Sequence, residues 1–474
     1  MFAAGARASA AKVVDHGLRR SCCPPGFVRR RPIRRPFAAS RAVAVGVAAC
    51  IAVAVVPGCS SHSSADQDEH GSQPIAETAA AHEQKSRAAA VLAVDAVDLR
   101  AKLEQLLGQH AILTVRLTRA RLRGDGDLAQ SADAALSKNT EDLGEVIESV
   151  YGAEAAEQFE QMWFGHVTYL FNYSRGVADE DEAVKSQARR QLNDYTTNLS
   201  QFLEAATNNA APASVVAAEL QMHVDQLLQQ VDAYARGDYD RAFALERESY
   251  AHMFPLGKTL AASILTGGGA GLPIDFDSPA RQLQSGLGLL LGEHAELAVD
   301  VMRSGITDSP DFPAAGVALD ENTREITAVI ESVFGAESAA SFQALWADHI
   351  DAFVTYTEAL VAGDAALESA ATERLTEFND NFAAFLSTST QGRLAAPALA
   401  DAFVMHEDLL LRQINAYAER DYSTAHQLSF DAYQHMFELA AQAATAIGDT
   451  VAAQSPTGGP QTGAGGMAAT EGGR

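Results

Sequence analysis

The sequence predicts an all-α protein of two tandem antiparallel up-and-down bundles, about six helices each. Two observations lead there. Apolar residues recur at helical rather than strand-like spacings, and Gly, Pro and Gly-Asp pairs cut them into segments of helical length. The chain also repeats itself: Asn139 to His166 reads NTEDLGEVIESVYGAEAAEQFEQMWFGH and Asn322 to His349 reads NTREITAVIESVFGAESAASFQALWADH, with 14 of 28 positions identical.

The segments follow in chain order. Residues 1–58 hold ten Lys or Arg and a single acid, and their basic stretch to Arg41 runs into an apolar stretch from Ala42 to Val56. At 15 residues that stretch is short for a spanning helix, which needs about 20. With Val56-Pro57-Gly58-Cys59 at its end it resembles a bacterial lipoprotein signal peptide. The resemblance implies acylation of Cys59 and a tether to the extracytoplasmic face of the cell membrane. Residues 59–92, rich in Ser, Ala, Gln and acids, read as a flexible tether.

The first repeat spans 93–266, with helices expected near 95–121, 127–151, 153–178, 180–207, 212–236 and 238–265. Gly152 stops one helix, Pro212 opens another and Gly237-Asp238 marks the last tight turn. A Gly- and Pro-rich linker, 267–278, precedes the second repeat, 279–449, in which Gly335, Pro397 and Arg420-Asp421 hold the matching places. Residues 450–474 read as a disordered tail.

Composition excludes several functions. Beyond residue 58 the chain carries 25 basic and 60 acidic residues, a net charge of −35. That field repels phosphate backbones, so nucleic acid is not an expected partner. Cys22, Cys23 and Cys50 lie in the leader, so the repeats have no disulfide, thiolate ligand or CxxCH haem attachment. No phosphate loop, GxSxG elbow or HExxH motif occurs, and no enzymatic activity is expected.

The histidines carry the chemistry. His110, His166, His223 and His252 correspond to His294, His349, His406 and His435. Each falls near the middle of its helix, and midpoints of equal antiparallel helices share one level. Their stripes are apolar: His110 lies with Leu103, Leu107 and Leu117, and His166 with Phe159, Trp163 and Tyr173. A buried imidazole with unpaired nitrogens costs about 1–3 kcal/mol for each such nitrogen. A metal ion accepting one nitrogen from each neutral ring removes that cost, and all eight histidines are expected ligands. Asn139, Tyr173 and Gln230, with Asn322, Tyr356 and Gln413, are expected to support the rings from behind.

Zinc and copper both take imidazole, and copper is slightly favoured because Met222, Met253, Met405 and Met436 adjoin site histidines. Ferritin-like di-iron sites do not fit, since ExxH pairs are missing, and bis-histidine haem is disfavoured because two rings would stay idle.

The elements LLGxHA, NT(E/R)xxxxVIESV(Y/F)GAE, FxxxWxxH, MHxD and YxHMF resemble a repeat of exported actinobacterial and firmicute proteins, some with a copper-amine-oxidase-like amino-terminal domain. The repeats contain no such domain, so the oxidase activity is not carried over. The resulting expectation is a lipid-anchored, extracytoplasmic metal-binding protein for storage, buffering or delivery, with a metal-exchange protein as a possible partner. The alternative is a structural or partner-binding scaffold whose histidines form a polar core layer.

Overall fold

The computed structural model describes residues 96–267 and 275–454, so the leader, Cys59, the tether, most of the Gly-rich linker and nearly all of the tail lie outside the described residues. The described residues form twelve α-helices and no strand. In the first repeat these are α1 (Ala96–Arg123), α2 (Gly126–Tyr151), α3 (Ala153–Ala178), α4 (Glu182–Ala206), α5 (Ala213–Ala235) and α6 (Tyr239–Gly267). The second has α7 (Pro279–Ile306), α8 (Phe312–Phe334), α9 (Ala336–Ala362), α10 (Ala365–Ser389), α11 (Ala396–Ala418) and α12 (Tyr422–Gln454).

Local chemistry sets these boundaries. Asp125, Asp181 and Asp364 cap α2, α4 and α10 by accepting from the first-turn amides of Leu128, Ala183 and Val184, and Ala366 and Leu367. Gly152 and Gly335, at φ 88° and 86°, join α2 to α3 and α8 to α9 in a backbone conformation that side chains resist.

Each helix packs on its successor, and the last returns to the first, α6 on α1 and α12 on α7. Helix α1 also touches α3 and α5, and α7 touches α9 and α11, so the first helix of each repeat is the inner one. Helix α1 is accordingly buried around most of its circumference, polar residues Glu104, Gln105, Gln109, Arg116 and Arg119 included.

The repeats also pack on each other: α1 meets α7 and α12, α6 meets α7 and α8, and α12 meets α2. The contact is reciprocal at its centre. A Cβ added to Gly108 would lie 2.6 Å from the Tyr433 hydroxyl, and one added to its counterpart Gly292 would lie 2.7 Å from the Tyr250 hydroxyl. Only glycine admits the tyrosine of the opposite repeat, and this exchange relates the halves by an approximate two-fold axis.

Beside these tyrosines lies a buried ionic cluster. Arg116 bridges Glu296 at 2.6 Å and Asp300 at 2.8 Å across the repeats, and Arg119 pairs with Glu246 at 2.7 Å. Arg303 instead donates to Gln413 at 2.7 Å and to the Ala425 carbonyl at 3.0 Å.

Candidate metal centre

Three of the four histidines in each repeat come together. In the first, Nε2 of His110 on α1 lies 3.0 Å from Nε2 of His166 on α3. The His223 ring, from α5, lies 5.8 Å from that of His110, centroid to centroid. In the second repeat His294, His349 and His406 repeat the arrangement on α7, α9 and α11, with the His294 ring 5.4 Å from His349 and 6.2 Å from His406. The inner helix supplies the central ring and its two neighbours supply the others, which follows from the packing of α1 on α3 and α5. All six are buried.

The fourth histidine does something else. His252 Nε2 donates to the Glu219 carbonyl at 3.0 Å, and His435 Nε2 donates to the Ala402 carbonyl at 2.9 Å. Glu219 and Ala402 hold the same place in the two repeats, so these rings pin α6 to α5 and α12 to α11. The expected quartet is thus a trio with one histidine beside it. The Nε2 atoms of His252 and His435, which donate to carbonyls, have no lone pair for a metal, and the lone pair left on Nδ1 faces Glu438 at 3.7 Å in His435.

Burial keeps the trios neutral. It drives the His166 and His223 pKa values down to about 3. His406 goes to about 3 and His349 to about 4. His110 and His294 fall well below the usual imidazole range through burial first and their neighbouring histidines second. The aromatic surroundings are tight: Trp163 and Trp346 lie 4.8 and 4.6 Å from His110 and His294, while Tyr195 and Phe378 stack at 4.4 Å on His166 and His349.

Several ring nitrogens have no protein partner: Nδ1 of His110 and His166, both nitrogens of His223, and Nδ1 of His294 and His406. His349 Nδ1 donates to the Trp346 carbonyl at 2.7 Å, which leaves Nε2 as the lone-pair nitrogen. Two imidazoles on one tetrahedral zinc would hold their nitrogens about 3.3 Å apart, given bonds of about 2.0–2.1 Å. The 3.0 Å separation of His110 and His166 is a few tenths short of that. Among the described residues no three His, Cys, Asp or Glu side chains already stand in a ligand arrangement. The donor set suits a metal, but binding requires the rings to part.

The expected supports bond elsewhere. Asn139 donates to the Leu106 carbonyl and Gln109, and Asn322 to the Leu290 carbonyl and Glu293, each tying α2 or α8 to the inner helix. Tyr173 donates to Asp232, Tyr356 accepts from Asn415, and Gln413 holds Arg303. Gln230 is fully buried and makes no side-chain hydrogen bond. Met222 and Met405 are about half exposed, so their thioethers face away from the rings. Met253 and Met436 are buried.

Sequence reasoning overlooked Tyr195 and Phe378, which cover the outer face of His166 and His349. Their signal was the apolar spacing of Leu192, Tyr195 and Leu199 on α4. His426, without a counterpart, sits in the interface between repeats, 2.9 Å from Ser131. Fold and site together define a class: a double six-helix bundle with a buried imidazole trio in each half. The chain matches no protein-family model, no curated protein and no solved structure.

Proposed function

We propose that each repeat holds one transition-metal ion, on His110, His166 and His223 in the first and on His294, His349 and His406 in the second. The observation that carries this reading is that three buried, neutral imidazoles from three helices meet at one level, twice, with nitrogens that no protein group satisfies. A bound ion would take the lone pairs of the Nε2 atoms that His110 and His166 turn toward each other and of a free nitrogen of His223, and the wrapping of Trp163, Tyr195, Trp346 and Phe378 would exclude water.

A sealed site suits storage, buffering or delivery rather than turnover. Zinc and copper remain the metals of choice, copper's edge now resting on Met436, which shares a cavity wall with His349 and His406. The leader ending at Cys59 supports export and a lipid anchor at the extracytoplasmic face. No described helix is long and apolar enough to cross a membrane. A metal-exchange protein is the partner this reading calls for.

The test is metal content after purification without a polyhistidine tag and exposure to copper or zinc. His166→Ala and His349→Ala should each remove half the bound metal, and His252→Ala none. Metal content unchanged in the first two variants, or no uptake by the parent protein, overturns the reading.

A second reading is favoured by the direct His110–His166 bond and by the carbonyl bonds of His252 and His435. In it the imidazoles form a polar layer that fixes helix register in a structural or partner-binding scaffold. It requires a metal-free protein whose stability metals leave unchanged.

A further inference from the structure

The two repeats differ beside the histidines. Equivalent residues enclose an apolar cavity in each, about 30 Å³ in the first and about 80 Å³ in the second. The first is lined by Leu199, Leu220 and Leu260, the second by Phe382, Phe403 and Ala443 at the same places. Shortening Leu260 to Ala443 opens space that the flat faces of Phe382 and Phe403 do not refill. The walls of the larger cavity also include Trp346, His349, His406 and Met436.

Two of these lining residues carry a polar atom without a partner. Trp346 Nε1 and His406 Nδ1 are buried without a hydrogen bond, on side chains about 5% exposed. An unsatisfied buried donor costs about 1–3 kcal/mol. The indole N–H can only donate, so what satisfies it must bring an acceptor. Trp163 Nε1 is likewise unpartnered beside the smaller cavity. A water molecule needs about 10–15 Å³, so the first cavity has room for little more than water. The second is about half the size of the ~150 Å³ apolar cavity known to take benzene or xenon.

We propose that the cavity of the second repeat is a binding site for a small, neutral, mainly apolar molecule with one hydrogen-bond acceptor, of the short-chain alcohol or ketone class. Its body packs on Phe382, Phe403 and Met436, and its oxygen accepts from Trp346 Nε1. The first repeat, closed by Leu260, does not bind it. The site does not depend on a metal, although His349 and His406 belong to both.

The chain has only two tryptophans, Trp163 and Trp346, one at each cavity, so two indole N–H signals in an amide-correlated NMR spectrum report the sites separately. Trp163→Phe assigns them. On titration of the chelator-treated full chain with 2-propanol, the Trp346 signal should shift saturably while that of Trp163 stays in place. Ala443→Leu, which copies the first repeat, should abolish the shift and leave the protein folded. Parallel non-saturating shifts of both signals, no shift of either, or a shift that survives Ala443→Leu overturns the proposal. Metal content measured on the same Ala443→Leu protein keeps this outcome separate from the metal reading.

Discussion

Each imidazole of a trio is neutral because burial penalises its charged form, and this sets how the protein responds to acid. The folded-state pKa values of His166 and His223, about 3, lie below the ordinary value of 6.5. The unfolded chain therefore binds protons that the folded chain cannot as the pH falls below about 6.5. The stabilisation is fully present above that pH and is lost progressively between it and about 3. From pH 7 to pH 5 the loss is on the order of 1–2 kcal/mol per imidazole. Urea midpoints at the two pH values should show the drop, and His166→Phe should make it smaller. A midpoint equal at both pH values would contradict the buried neutral trio.

At the scale of the helix, stability rests on caps and close approaches. Asp181 accepts from the amides of Ala183 and Val184 at 3.0 and 3.1 Å, and Asp181→Ala should cost about 1 kcal/mol by chemical denaturation. Gly108 is a sterner case, because any side chain there meets Tyr433 and Tyr250. Gly108→Val should destabilise by about 1–3 kcal/mol through overpacking, whereas the same change at the surface residue Gly126, with nothing within 4 Å, should cost less than about 1 kcal/mol.

For the whole molecule the decisive feature is the charged seam between repeats. Arg116 joins α1 to Glu296 and Asp300 of α7, all largely buried. Arg116→Ala leaves Glu296 without its cation and Asp300 with only the longer pair to Arg119 at 3.5 Å, and should cost about 3–5 kcal/mol. Arg374, which pairs with the exposed Asp348 and Asp351, should cost less than about 1 kcal/mol when replaced by alanine. With the repeats bonded through this seam and the Tyr250–Tyr433 contact, calorimetry should record one cooperative unfolding transition in the parent protein, separating into two in Arg116→Ala.

The sequence by itself determined the helices, because their causes are local. Periodicity, capping aspartates and Gly152 or Gly335 act within a few residues, and the expected helices of the first repeat fall within three residues of those observed at every end. It also determined the internal duplication and the burial of His110, His166 and His223. Tertiary structure decided which rings meet. One residue along a helix turns a side chain by about 100°, so a small rotation of α6 or α12 sends His252 or His435 to a backbone carbonyl instead of the centre. Only the assembled bundles could set that rotation, or turn Ala443 in place of Leu260 into a difference between two cavities, since both arise from the summed packing of helices distant in the chain.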